Sequence, residues 1–371
     1  MKVGVGTGDG SLDGALAIKV ASLLQPRCYP GAVDQVTPVE THMSWVFLAG
    51  NRAYKLKKPL CRPYLDFSTL KKREAACRAE VVLNRRLAPD IYLDVVPLCR
   101  SRQGFKLAGK GEIVDWLVVM NRVDHRVMLD ACIGAHTLQR SQLEQLERVL
   151  VRFYRHARPV FFAPARYLAH WRTLVADCIA VLGVPELDLP VAQVSLIARA
   201  QRTFLARHGD ILVRRLRAGR VVDAHGDLRP EHIWLGERVA IIDCLEFNAE
   251  FRAVDPFDEL SSLAVECERL GARSVGDGIL RRVGRALPDA APSELRTFYR
   301  CYRATLRARL AIAHLLEANP RTPQKWHPLA RAYLAIARRE ALKLERLIKR
   351  RSGPQAIDVH EGGGWRRRTG V

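Results

Sequence analysis

Hydrophobic and polar positions along this 371-residue chain fall into two regimes. As far as about residue 122 the apolar runs are short. "SWVFLAG" and "RAYKLKK" flank Gly50-Asn51 and predict a hairpin, and "YLDVVPLCR" and "EIVDWLVVMNRV" predict two further strands. Between them the pattern predicts a helix over about 68–87, stopped near Pro89. Five strands and this inserted helix make one compact unit. A short helix, "GALAIKVASLLQ", precedes it and breaks at Pro26 and Pro30. Beyond residue 125 apolar residues recur at helical spacing, as in "LQRSQLEQLERVLVRFYRHA" and "LRTFYRCYRATLRARLAIAHLLEAN". The expected organisation is a disordered Gly-rich stretch at 1–14, a helix within 15–34, a sheet lobe at 35–124, a helical lobe at 125–350 and a disordered basic tail at 351–371.

One hairpin interrupts the helical half, in "AHGDLRPEHIWLGERVAIIDCLEFN", residues 224–248. Its arms, "IWL" and "RVAIID", are apolar around Gly236-Glu237, so both should be buried. Asp227 precedes the first arm and Asp243 ends the second, and closing the hairpin brings the two carboxylates near each other. Like charges that close call for a cation between them or a shifted pKa. Magnesium, which prefers carboxylate and phosphate oxygens, suits such a site. The pair is therefore a candidate for holding nucleotide phosphates and activating a hydroxyl.

Composition narrows the partners. With 48% hydrophobic and 27% charged residues the chain has the make-up of a soluble globular protein. No apolar run approaches the roughly 18–20 residues of a membrane span, and "MKVGVGTGDGSLDG" lacks a signal-peptide core, so a cytoplasmic location is expected. The nine cysteines are scattered without a CxxC pair, which fits free thiols in a reducing compartment. A net charge of +21 favours anionic partners. There is no RNA-binding aromatic signature and no helix-turn-helix pattern, so neither nucleic acid nor a membrane is the expected partner.

The run His225-Gly226-Asp227, followed by Asp243, resembles the catalytic loop and metal-binding Asp of aminoglycoside phosphotransferase-like kinases. "ETHMSWVFLAGNRAYKLKKP", "LNRRLAP", "HGDLRPEHIWL" and "IIDCLEF" extend the likeness over residues 20–350, to an uncharacterised bacterial subgroup of that family. The resemblance implies an α+β, two-lobed protein-kinase-like fold. It would have a small antiparallel-sheet N-lobe with one inserted helix and a larger, mostly helical C-lobe. It also implies an ATP-dependent small-molecule kinase with magnesium. Some members of the subgroup carry a fused P-loop domain; GxxxxGK[ST] does not occur here, so a single kinase-like unit is expected.

By this resemblance Asp227, with His225 beside it in the loop, is the base that orients and deprotonates the acceptor hydroxyl. Asp243 is the metal ligand, and Glu246 is a second ligand or a substrate contact. Lys55 is the cation for the nucleotide phosphates, with Lys57, on the same face of the strand, as second choice. Glu80 shares a helical stripe with Cys77, Leu83 and Leu87 and is the expected partner of the lysine. Glu74 is the alternative. The turn "THMS" takes the place of the phosphate-covering loop, with Ser44 or backbone amides as contacts, and Met120 to Arg122 supply the adenine hinge. Asp255 reads as a helix cap and Asp258 as a brace for the catalytic loop.

One position departs from the family pattern. Where such kinases carry a metal-binding Asn, this chain has His232. Imidazole suits manganese and softer ions better than magnesium. One metal on Asp243 alone, a Mn2+ preference, a His232–Asp227 hydrogen bond and an inactive site are the open readings. The acceptor is expected to be a neutral or anionic small molecule, because a polycationic drug calls for an acidic face. A catalytically weak or inactive nucleotide-binding sensor is the competing class.

Overall fold

A computed structural model of the protein describes residues 10–317, 320 and 322–351. The expectations for residues 1–9 and for the tail past Arg351 lie outside the described residues. Helix α1 spans Gly10–Leu23 and so begins before the boundary expected at residue 15. The strands β1 (Val36–Glu40), β2 (Ser44–Ala49), β3 (Arg52–Lys57), β4 (Tyr92–Ser101), β5 (Gly104–Leu107) and β6 (Glu112–Asn121) form one antiparallel sheet. Its order is β1-β2-β3-β6-β4-β5. The sheet has six strands where five were expected: the four named runs are joined by two edge strands, β1 and β5, that carry little apolar signal. Pro38 sits within edge strand β1, where a missing backbone donor is tolerated.

Helix α2 (Leu70–Asn84) is inserted between β3 and β4, with Thr69 accepting from the Lys72 amide as its N-cap. The two helices cover opposite faces of the sheet. Leu23 of α1 packs with Phe47, Leu56, Leu98 and Leu117, and its full burial contributes about 2 kcal/mol. Cys77 and Val81 of α2 pack with Tyr92 and Val118 on the other face. Lys55 pairs in register with Val118, so alternation sends Lys55 and Lys57 to the α2 side and Leu56 to the α1 side.

The helical lobe is built from α3 (Arg140–His156), α4 (Pro164–Leu182), α5 (Val191–Arg217), α6 (Pro256–Arg269), α7 (Arg273–Ala286), α8 (Ser293–Ala313) and α9 (Trp326–Arg351). Its core joins α4, α5, α6, α8 and α9, with Phe204 and Phe298 stacked at 4.4 Å. Helix α6 starts at Pro256, and Asp255 accepts from the Phe257 amide as its cap while also pairing with buried Arg215. The inserted hairpin is β7 (Ile233–Leu235) with β8 (Val239–Ile241), antiparallel and apolar as the sequence suggests. The chain is thus α+β, with a sheet lobe and a mostly helical lobe. No described helix is long and apolar enough to cross a membrane.

Candidate active site

Both strand lysines meet the same glutamate. Glu80 of α2 is fully buried, and its Oε1 accepts from Lys55 Nζ at 2.8 Å while its Oε2 accepts from Lys57 Nζ at 2.5 Å. Glu74 is on the outside of α2, paired with Arg78 one turn along. Burial works against the charge on Glu80, but Lys55 and Lys57 outweigh it and hold its carboxyl below the usual range. Burial likewise works against both lysine charges, and the neighbouring carboxylates hold their pKa values above the ordinary one.

Asp243 follows directly after the hairpin and adopts φ 63°, a left-handed conformation uncommon for a residue with a side chain. The turn is held by the Asp243 amide, which donates to Tyr92 Oη at 3.1 Å, and by the Cys244 amide, which donates to Asn84 Oδ1 at 2.9 Å. So turned, Asp243 Oδ1 accepts from Lys55 Nζ at 2.6 Å. Its side chain is 47% exposed, so one edge faces open space. Burial of the remainder works against ionisation, yet Lys55 and then His232 hold its carboxyl well below the usual range.

The catalytic-loop candidates stand across His232. Its Nδ1 bonds the Asp227 carbonyl at 2.8 Å, Nδ1 is 3.8 Å from Asp227 Oδ2, and Nε2 is 3.7 Å from Asp243 Oδ2. In its neutral form, with Nδ1–H donated to the carbonyl, the ring would present its Nε2 lone pair on the Asp243 side. A carboxylate edge and an imidazole nitrogen facing one space suit a divalent cation, and the mixed oxygen–nitrogen set fits manganese at least as well as magnesium.

The loop itself is fixed from below. His225 is fully buried; its Nε2–H donates to the Ile242 carbonyl at 2.9 Å, and its Nδ1 accepts from the Asp227 amide at 3.3 Å. Burial, aided by His232, pushes its pKa down to about 4. Gly226 has φ 89°, and a β-carbon there would lie 3.0 Å from Leu245 Cδ1 and 3.1 Å from Arg252 Cγ. The loop brace is not Asp258, which turns to Arg303 at 2.5 and 2.7 Å. Glu259 takes that place, accepting from the Gly226 amide at 2.5 Å, the His225 amide at 3.3 Å and Tyr154 Oη at 2.8 Å. Asp227 is one-third exposed, with Arg229 Nη1 3.8 Å from its carboxylate.

The remaining sequence candidates lie apart from this cluster or are otherwise engaged. Glu246 is drawn to Lys57, forming an ion-pair chain Glu246–Lys57–Glu80–Lys55–Asp243 that is open to solvent mainly at Asp243. Burial raises its pKa, with Lys57 acting in the opposite sense. Ser44 is buried in a closed turn in which its amide donates to Thr41 Oγ1 at 3.0 Å and its carbonyl accepts from the Thr41 amide. Met120 is half-buried opposite Ala53 and Tyr92, while the Arg122 amide donates to the Asn51 carbonyl at 3.0 Å. Arg122 and Asn51 also line a cavity of about 440 Å³ with Asp124 and Arg126. Sequence reading did not find Tyr92, Asn84 and Glu259, which position rather than display chemistry. For the first two, a buried polar residue on an apolar stripe was the available signal.

No protein-family model matches the chain. Curated relatives are uncharacterized proteins of Mycobacterium tuberculosis and Mycobacterium bovis, each 31% identical over 309 residues. The match covers 76% of this chain and 55% of each relative, so the chain spans about half the length of the curated relatives it matches. Similar solved structures include a choline/ethanolamine kinase family protein from Mesorhizobium loti, with 16% identity, TM-score 0.47, and 92% and 94% of the two chains covered. A choline kinase from Cryptosporidium parvum gives 9% identity, TM-score 0.49, and 91% and 97% coverage. An aminoglycoside 2'-phosphotransferase in a GDP complex gives 12% identity, TM-score 0.46, and 84% and 94% coverage. These neighbours are described as choline or ethanolamine kinases and an aminoglycoside phosphotransferase.

Proposed function

We propose that the chain is an ATP-dependent small-molecule phosphotransferase, with residues 35–124 as the nucleotide lobe and 125–350 as the lobe that carries the catalytic loop. The observation that carries this reading is Lys55, an ammonium clamped between buried Glu80 and half-exposed Asp243, with Asp227 one imidazole away. Structural ion pairs are normally closed on themselves. Here the terminal carboxylate keeps an edge open toward a second carboxylate, an arrangement suited to phosphate and metal.

In this reading Lys55 contacts the nucleotide phosphates, and Asp243 with His232 Nε2 holds a divalent cation. That cation supplies charge neutralisation to the phosphoryl group. Asp227 accepts the proton of the acceptor hydroxyl as its oxygen bonds the γ-phosphorus and the bond to the bridging oxygen breaks, leaving ADP. The His225 and Glu259 contacts hold the loop so that Asp227 needs no reorganisation to act. Glu246, committed to Lys57, serves the ion-pair chain rather than the metal. Arg229 beside Asp227 favours a neutral or anionic acceptor over a polycation.

ATP turnover with magnesium and with manganese, in the presence of a panel of hydroxylated metabolites, tests the reading in wild type and Asp227→Asn. Transfer that falls by about 10²–10⁴-fold in the variant is the expected result. Nucleotide binding with equal background rates in both proteins would instead establish the sensor reading, which His232 at the metal position motivates.

A further inference from the structure

A second group of potential ligands lies away from the lysine–carboxylate chain, where the sheet lobe touches the helical lobe. His42 occupies the β1–β2 turn, and His314 and Glu317 occupy the turn that follows α8. The His42 and His314 rings stack at 4.7 Å with 15° between their planes. His314 in turn lies on Trp326, the first residue of α9, at 4.1 Å, and its Nδ1 bonds Glu317 Oε1 at 2.8 Å. One ligand-capable atom from each of the three residues falls within 4.8 Å of the other two.

These positions are set by structure around them. Thr41 and Ser44 close the turn carrying His42 through three hydrogen bonds, and Lys58 Nζ donates to the Thr41 carbonyl at 2.7 Å. Trp326 fixes the plane of the His314 ring. The His314 ring is thus held between Trp326 and His42, while His42 and Glu317 are exposed and able to adjust around an ion. Two imidazoles and a carboxylate are a borderline-soft donor set, suited to zinc, cobalt or nickel rather than to magnesium or calcium. Tetrahedral zinc, about 2.0–2.2 Å from each ligand, needs ligand atoms about 3.3–3.5 Å apart. Binding takes closure of the present spacing by an ångström or so and a turn of the two nearly parallel rings so that their in-plane lone pairs converge, with the fourth position open to water.

We propose that His42, His314 and Glu317 form a binding site for a zinc-class divalent cation, with the bound ion tying the β1–β2 turn to the helical lobe. The inference stands apart from the phosphotransfer reading, since it needs neither nucleotide nor turnover. Nothing in the order of residues announces it, because His42 and His314 come from opposite ends of the chain.

The test uses the full-length, metal-stripped chain in excess magnesium. Zinc is titrated against a chromophoric competitor, and cobalt(II) is used as a spectroscopic substitute. One ion per chain is expected at this site, with weak visible cobalt bands and no thiolate charge-transfer band, which sets it apart from the exposed Cys61. His42→Ala on one lobe and His314→Ala on the other should each weaken binding at least about tenfold, and Glu317→Gln by a similar amount. His232→Ala should leave it intact. Circular dichroism checks that each variant is folded; if His314→Ala is not, His42→Ala and Glu317→Gln carry the test. Absence of zinc binding, wild-type affinity in His42→Ala, a thiolate band, or loss of the ion in His232→Ala would each overturn the proposal.

Discussion

His225 should make the folded state sensitive to mild acid. The ring has no solvent exposure, and both nitrogens are used in the neutral form, Nε2–H as donor to Ile242 and Nδ1 as acceptor from the Asp227 amide. Protonation puts a hydrogen on Nδ1, where the amide already points, and places a charge in a buried site beside His232. Its pKa accordingly falls from 6.5 to about 4. The folded value lies below the unfolded one, so between the two the unfolded chain binds a proton that the folded chain does not. Stability is therefore complete above about pH 6.5 and is lost as pH falls toward 4. At 1.36 kcal/mol per pH unit the full effect is about 3 kcal/mol, of which about 2 kcal/mol is expressed by pH 5.

Urea denaturation at pH 7.5 and pH 5, with chelator present, measures this directly. Glu246 and Glu259, with pKa values raised by burial, act in the opposite sense over part of the range, so the comparison must be made against a variant. His225→Asn keeps an acceptor for the Asp227 amide but has no titrating nitrogen. It should be less stable at pH 7.5, yet lose about 2 kcal/mol less than wild type on going to pH 5. Equal losses in the two proteins would refute the reasoning. So would a His225 ring proton that titrates near 6.5 in the NMR spectrum of the folded state.

The two lysines should separate stability from ligand binding. Lys57→Met strands Glu246, whose side chain is 8% exposed, and should cost about 3–5 kcal/mol in denaturation. Most of that should return in Lys57→Met/Glu246→Gln, and strict additivity would contradict the pairing. Lys55→Met leaves Glu80 still paired with Lys57 and leaves Asp243 an exposed edge to hydrate, so it should cost less. It should nevertheless weaken ATP binding by about 10–100-fold, as loss of a charged hydrogen bond implies, read by calorimetry. His232→Asn should raise the magnesium-to-manganese ratio of affinity or turnover by about tenfold or more, and an unchanged ratio would remove His232 from the metal site.

What the sequence could disclose here follows from the range of its periodicities. Alternation along β3 is a strictly local rule, and it placed Lys55 and Lys57 on one face before any fold was known. The helical period likewise put Glu80 on the buried stripe of α2, and the hairpin pattern brought the ends at Asp227 and Asp243 together. None of these rules can say how one element is rotated against another. Asp258 and Glu259 are neighbours about 100° apart around α6, so choosing between them as the loop brace required the orientation of that helix against the loop. Glu246 is a similar case. Its place after Asp243 suggested a second metal ligand, but the left-handed turn at Asp243 sends the following chain toward Lys57, and that turn is imposed by Tyr92 and Asn84 from the other lobe. A carboxylate close in sequence to a metal-ligand candidate was therefore claimed by a buried cation close in space. The chemistry-bearing residues were legible because their types are rare and their spacing local; their positioning partners were not, because tertiary packing alone decides which nearby polar group they meet.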